Sequence, residues 1–88
     1  MQITLKLFAN LSDYLPTRLE QHRRVGNQIT LDVPEGTAVQ AVIDRFNLPR
    51  GLIHLVLVNG NYILPVERAG HLLHDGDAVA IWPPIAGG

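Results

Sequence analysis

Apolar and polar residues alternate along two stretches of the chain. The first places aliphatic side chains at every second position: Ile3, Leu5 and Leu7, with Gln2, Thr4, Lys6 and Phe8 between them. The second repeats the pattern with Ile29, Leu31 and Val33, separated by Thr30 and Asp32. A period of two residues is typical of a strand with one buried face. We therefore predict two such strands, with a turn at Gly26-Asn27 before the second one.

A helical spacing follows the second strand. Four apolar residues recur at i, i+3, i+4 and i+7: Val39, Val42, Ile43 and Phe46. This spacing predicts one buried helical face. Thr37 and Gln40 have the spacing of a capping box at its start. Asn47 can adopt the left-handed closing conformation, and Pro49 forbids continuation, so we expect a helix of about ten residues.

The second half of the chain contains three further strand signals. The continuous apolar run 55–58 predicts a central strand buried on both faces. The turn residues 59–61 are then followed by a short returning strand over 62–64. After the turn residues 75–77, the run 78–82 predicts the last strand, which Pro83-Pro84 stops because proline has no amide hydrogen to donate.

This order of elements predicts an α+β domain of two layers. One helix covers one face of a mixed four- to five-stranded sheet, and the other face has no cover from within the chain. The connection from Asn10 to Gly26 contains Ser12-Asp13 as a possible helix start and Pro16 as a break. We expect a connection that contains a short helix. It is either a helical excursion that tunes partner choice or a solvated loop, and we favour the loop.

Composition narrows the possible chemistry. Eighty-eight residues make one domain. Seven basic and eight acidic residues nearly cancel, which argues against nucleic acid or an anionic membrane as a partner. The absence of cysteine excludes thiolate catalysis and thiolate metal sites. His71 and His74 have no third ligand at a diagnostic spacing except Asp75 or Asp77, so we predict no metal site.

Nothing in the sequence predicts membrane insertion or export. No apolar run approaches the ~20 residues needed to span a bilayer. Met1 leads directly into the first strand pattern, without the basic and apolar regions of a signal peptide. We therefore expect a cytoplasmic protein.

The sequence closes with Ile85-Ala86-Gly87-Gly88. Pro83-Pro84 favours an extended conformation that directs these residues away from the body, and four extended residues reach on the order of 13 Å. Glycine has no side chain to clash in a narrow channel. We therefore expect residues 1–84 to form the folded domain and residues 85–88 a flexible tail. A thin tail of this kind suits a carboxylate that an ATP-using enzyme activates as an acyl-adenylate.

The last fourteen residues carry a family resemblance. Asp75-Gly76-Asp77, a short apolar strand, Pro83-Pro84 and the terminal Gly87-Gly88 resemble the end of the MoaD/ThiS sulfur-carrier family. The likeness is greater to the small subunit of molybdopterin synthase than to the thiamin-pathway carrier. The resemblance implies a ubiquitin-like β-grasp fold for residues 1–84 and a carrier that catalyses nothing itself.

The resemblance also implies partners and site residues. An E1-like enzyme would use ATP to adenylate Gly88, and a sulfurtransferase system would convert the adenylate to a thiocarboxylate. The tail, comprising Ile85, Ala86, Gly87 and Gly88, would then enter a molybdopterin synthase large subunit and donate sulfur to a pterin precursor. No bound cofactor is implied. An open sheet face bearing Phe8, Trp82 and Tyr62, next to Pro83 and Pro84, would dock the partners.

Three alternatives stay open at the level of sequence. The sulfur could serve another pathway, such as thiamin thiazole or an amino acid. Gly88 could instead end in an isopeptide bond, as in a ubiquitin-like protein modifier. The third alternative is an interaction module that does not use its C-terminus.

Overall fold

The computed structural model describes residues 1–84. In this part of the chain the elements are β1 (Gln2–Leu7), β2 (Arg18–Leu19), β3 (His22–Arg23), β4 (Gln28–Asp32), α1 (Val39–Arg45), β5 (Leu55–Val58), β6 (Asn61–Tyr62) and β7 (Ala78–Trp82). Three 3-10 helices lie at Ala9–Tyr14, Arg50–Leu52 and Pro65–Glu67. The predicted α+β order of strands and one helix is confirmed, with an additional hairpin between β1 and β4.

Five strands form one mixed sheet in the order β4-β1-β7-β5-β6. The parallel pair of β1 and β7 lies at its centre, with Leu7 opposite Ile81. The other neighbours are antiparallel. Backbone hydrogen bonds therefore hold the last strand on both sides. They fix the position of its end, where the C-terminal residues begin.

The core lies between the sheet and α1. The buried aliphatic residues of β1, β4 and β7 are those that the alternation predicts, for example Leu5, Leu31 and Val79, each at most 2% exposed. Val39, Val42 and Ile43 of α1 pack into the same cluster. One side of the sheet is thus covered, and the side chains at the alternate positions point to the other side.

The prediction that residues 55–58 are buried on both faces is wrong. Val56 and Val58 are buried, whereas Leu55 is exposed and Leu57 is half-buried. β5 lies next to the edge of the sheet rather than at its centre. Because α1 covers only one face, an apolar run here places its alternate side chains on the open face.

The predicted capping box at the start of α1 is also wrong. The helix begins at Val39 and has seven residues, with no side-chain hydrogen bond at its N-cap, Ala38. The amides of Val39 and Gln40 instead donate to the carbonyls of His71 and Arg68. A neighbouring segment therefore satisfies the first amides of the helix, and no side-chain cap is needed. The predicted closing residue, Asn47, does adopt a positive φ of 51°.

The connection between β1 and β4 is not a solvated loop. Leu11 and Leu15 are buried in the core, at 0% and 5% exposed. Short strands β2 and β3 form a separate two-stranded sheet. His22 Nε2 lies 2.8 Å from Asp32 Oδ2, which joins β3 to β4. The hydrogen bond from His22 is the main reason why the pKa of Asp32 lies below its ordinary value.

The Asp75-Gly76-Asp77 turn joins two parts of the sheet. Asp75 Oδ1 accepts a hydrogen bond from the Gln2 amide at 2.7 Å. Asp77 Oδ2 accepts from the His74 amide at 2.8 Å, and Asp77 Oδ1 accepts from the Asn59 side chain at 2.9 Å. The amide hydrogen bond from His74 is the main cause that lowers the pKa of Asp77. The turn thus fixes the start of β7.

Candidate functional site: an open sheet face beside the C-terminal segment

The strand that precedes the C-terminal residues, β7, lies at the centre of the sheet. Trp82 ends β7, and its carbonyl accepts a hydrogen bond from the His54 amide at 3.0 Å. Pro83 is buried and Pro84 is exposed. The predicted carrier residues Ile85, Ala86, Gly87 and Gly88 lie outside the described residues. The structure therefore fixes where the segment starts, next to β1 and β5.

Phe8 and Trp82 form a stacked aromatic pair at this point. Their ring centroids are 3.7 Å apart and their planes differ by 7°. Phe8 follows β1, and its amide donates to the Ile81 carbonyl at 3.1 Å, which aligns it with the end of β7. Each ring is half-buried. The two predicted docking residues are therefore brought together, and each covers part of the other.

Three further side chains extend the apolar surface across the open face. Leu55 lies directly opposite Trp82, and Leu57 lies opposite Tyr62. Directly paired residues on neighbouring strands point to the same face. Tyr62 is 48% exposed and Leu55 is 40% exposed. We call this set, Phe8, Leu55, Leu57, Tyr62 and Trp82, the aromatic patch.

The rest of the open face is polar. The alternate positions of β1 and β4 carry Thr4, Lys6, Gln28, Thr30 and Asp32, each half-buried. Lys6 lies opposite Ala80, where the polar half meets the aromatic patch. An apolar centre with a polar border is the composition of a protein-docking surface.

Sequence reasoning missed Leu55 and Leu57 as part of this face. The run 55–58 has no polar residue to mark an exposed position, so its pattern predicts burial on both sides. The single helix of the sequence was the available signal, since one helix covers only one face of a sheet.

The described part of the chain offers no metal centre. Within residues 1–84 no three His, Asp or Glu side chains lie close enough together to hold a metal ion. None of the helices in this range has the length and apolar character required to traverse a bilayer.

Comparisons with solved structures define the class of fold as ubiquitin-like β-grasp. SAMP1 from Haloferax volcanii superposes with a TM-score of 0.67 over 100% of both chains at 21% identity. A second structure of that protein, small archaeal modifier protein 1, gives 0.65 over 96% of this chain and 98% of the other at 20% identity. A putative molybdopterin converting factor, subunit 1, from Pyrococcus furiosus gives 0.64 with the same coverages and 20% identity.

The family follows from the sequence itself. The model of the ThiS family matches residues 6–88, and the chain belongs to this family. It is a family of small ubiquitin-like sulfur carriers and modifiers, which are generally not catalysts. Among curated proteins there is no match.

Proposed function

We propose that this protein carries sulfur as a thiocarboxylate on Gly88 and donates it in the biosynthesis of molybdopterin. The observation that carries the proposal is the ThiS match, which continues to Gly88 and so includes the Gly87-Gly88 ending. The fold likeness to the putative molybdopterin converting factor, subunit 1, from Pyrococcus furiosus supports the choice of pathway.

The proposed chemistry takes place on the C-terminal carboxylate. A carboxylate oxygen attacks the α-phosphate of ATP in the pocket of an E1-like enzyme, which forms an acyl-adenylate and releases pyrophosphate. The outer sulfur of a sulfurtransferase persulfide then attacks the acyl carbon and expels AMP. A thiol cleaves the S–S bond of the resulting acyl disulfide, which leaves the thiocarboxylate on Gly88 and a disulfide on the sulfurtransferase side. The carrier binds no cofactor itself, and ATP belongs to the activating partner. We propose that these steps take place in the cytoplasm.

The aromatic patch supplies the proposed docking surface for both partners, the activating enzyme and a large subunit of molybdopterin synthase type. It lies beside Pro83 and Pro84, so a partner bound there is close to the start of the C-terminal segment. Large aromatic side chains in an apolar centre contribute most of the binding free energy in many interfaces.

Intact-mass measurement after co-expression with an activating enzyme and a sulfur source tests the proposal. Exchange of one oxygen for sulfur adds ~16 Da, the difference of the atomic masses, and acyl activation requires this site to be the terminal carboxyl. A variant lacking Gly88 should show no such gain in mass. Gly51→Ala is the matched control, because a Cβ at Gly51 meets open space, and it should gain the mass like the wild type. Absence of the heavier species under these conditions would contradict the proposal.

The same preparations separate the alternative destinations of the activated carboxylate. A protein modifier would appear in conjugates of higher mass that disappear when Gly87-Gly88 is deleted. A carrier for thiamin thiazole would retain a thiazole synthase rather than a molybdopterin synthase large subunit in a pull-down. An interaction module would keep its function without Gly88.

A further inference from the structure

Arg68 is the only buried polar or charged residue within residues 1–84, at 6% exposed. Its Nε donates to the Ile63 carbonyl at 3.2 Å. Its own carbonyl accepts from the Gln40 amide at 3.0 Å, at the start of α1. The Ile63 carbonyl therefore holds the guanidinium, and the helix holds the backbone of Arg68.

The charge of Arg68 has no partner in the described part of the chain. Nη2 is buried and has no hydrogen-bond acceptor there. The ion pairs within 4.0 Å in residues 1–84 involve only His22 with Asp32 and His74 with Asp77. A guanidinium removed from water without an anion is costly, because it loses hydration and gains no attraction in return. An anion from outside the domain would remove this cost.

Arg68 lines a cleft that has room for such an anion. The cleft has a volume of about 790 Å³ and lies between α1 and the 3-10 segments that follow it. Its apolar lining is formed by Ile43, Leu48 and Ile53, and a second cation, Arg50, lies at its wall. Gln40, Asp44 and Asn47 complete its largely polar lining. Sites for small molecules typically have a volume of about 300–1,000 Å³. The cleft therefore exceeds the size of a simple ion and suits an organic anion.

The one carboxylate of the cleft is engaged elsewhere. Asp44 Oδ1 accepts a hydrogen bond from Gln40 Nε2 at 2.9 Å, across one turn of the helix. It forms no ion pair with Arg68 or Arg50 within 4.0 Å. Two arginines against one carboxylate leave the lining with a net positive charge, which favours a ligand that brings an oxyanion.

We propose that this cleft is a binding site for a small organic anion, recognised through a carboxylate or phosphate group by Arg68 and Arg50. Guanidinium groups match both oxyanions in geometry. The cleft lies on the side of the sheet that α1 covers, opposite the aromatic patch. A ligand bound there therefore leaves the docking face free.

Titration of the labelled protein, followed by NMR amide shifts, tests the site. The probes are inorganic phosphate and acetate, each up to roughly 50 mM, well above the ~1 mM Kd of a weak site. Sodium chloride at equal ionic strength is the reference. We expect saturable shifts at Gln40, Asn47 and Arg50 with at least one of the two oxyanions, and no saturation with chloride. Which probe binds more tightly identifies the oxyanion as phosphate or carboxylate.

Three variants make the result specific. Arg68→Met should weaken binding at least tenfold, and Arg50→Met, which alters an exposed side chain, should weaken it several-fold without affecting the fold. Arg45→Met is the control, since Arg45 lies at the end of α1, is exposed and does not line the cleft, and this variant should bind like the wild type.

Three results would overturn the proposal. One is the absence of saturable shifts with both oxyanions. Another is equal affinity of the wild type and the Arg50→Met variant. The third is evidence that the chain's own C-terminal carboxylate occupies the cleft. In that case deletion of Gly87-Gly88 would by itself shift the cleft amides and would raise the affinity for phosphate.

Discussion

Two polar residues connect turns that are far apart in the sequence. Asn59 has a φ of 51°, a conformation that asparagine tolerates better than most residues. Its Oδ1 accepts from the Ala78 amide at 2.9 Å, and its Nδ2 donates to Asp77. The Asp-Gly-Asp pattern that carries the family resemblance is thus explained by structure: Asp77 fixes the start of the strand that leads to the C-terminal segment.

Asp77→Ala should lower the free energy of unfolding at pH 7 by about 1–2 kcal/mol, because the His74 amide and the Asn59 side chain lose their acceptor. The effect should depend on pH. The folded pKa of Asp77 is depressed, so its contribution is fully present above the unfolded pKa of ~3.9 and is lost as the pH falls through the folded pKa. Denaturant unfolding of the wild type and the variant from pH 7 to pH 2 measures the loss of stability and its dependence on pH. A constant difference down to pH 2 would contradict this explanation.

Asp13→Ala is the control for the Asp77 variant. Asp13 is exposed and forms no side-chain hydrogen bond within the described residues. We expect its unfolding free energy to stay within about 0.5 kcal/mol of the wild type over the same pH range.

Gln40 distinguishes the two explanations for the start of the helix. A capping box would make Gln40→Ala cost about 1 kcal/mol. In the structure the Gln40 side chain bonds only to Asp44 at an exposed i,i+4 position, worth about 0.2–0.5 kcal/mol. We therefore expect a change of no more than about 0.5 kcal/mol in chemical denaturation, since alanine also has the higher helix propensity. A loss of about 1 kcal/mol in the free energy of unfolding would instead support the capping box.

At the scale of elements, local patterns correctly predicted those strands and the helix that are defined by nearby residues alone. Alternation is sufficient for β1 and β4, and i, i+3, i+4 spacing is sufficient for α1, because each reports one buried face. The start of α1 could not be predicted in this way. Its first amides donate to His71 and Arg68, about thirty residues further along the chain, and no local pattern encodes that contact.

The prediction of a solvated loop between β1 and β4 is wrong for a related reason. Its charged residues predicted solvent exposure, and Arg18 and Arg23 are indeed exposed. Leu11 and Leu15 nevertheless reach the core, because the 3-10 helix Ala9–Tyr14 returns the chain over the end of the sheet. Isolated leucines at a spacing of four in a short segment give too weak a signal to predict burial.

Leu11→Ala should therefore destabilise the domain by about 2–5 kcal/mol, since it removes a fully buried side chain and leaves a cavity. Leu72→Ala is the matched control, because Leu72 is 51% exposed and should change the unfolding free energy far less. Urea denaturation of both variants measures the difference. Similar values for the two would show that the connection does not contribute to the core.

At the scale of the whole molecule, the two sides of the sheet have different tasks. One side packs against α1 and supplies the core, whereas the other carries the aromatic patch beside the start of the C-terminal segment. A chain of this size has little apolar surface to spare. An apolar patch left uncovered by the fold is consistent with a surface that another protein covers.

The sequence predicted some residues of the aromatic patch, but it did not predict that they lie together. Trp82 and Phe8 were recognised as aromatic residues opposite the core-facing positions. Their contact depends on β1 and β7 being parallel neighbours, and these strands are separated by seventy residues. Leu55 joins the patch only because β5 pairs with β7 on its other side. Long-range pairing of this kind leaves no local pattern.

Trp82→Ala should weaken binding to the proposed activating enzyme by about 30-fold, equivalent to roughly 2 kcal/mol, if the aromatic patch is the docking surface. Trp82→Phe keeps a ring against Phe8 and should retain most of the affinity. Val66→Ala is the control, because Val66 is 88% exposed but lies outside the patch, and it should bind like the wild type. Titration calorimetry gives the affinities, and NMR spectra of each variant verify the fold. If folded Trp82→Ala bound as tightly as the wild type, docking would have to rely on other residues, and the stack with Phe8 would serve stability alone.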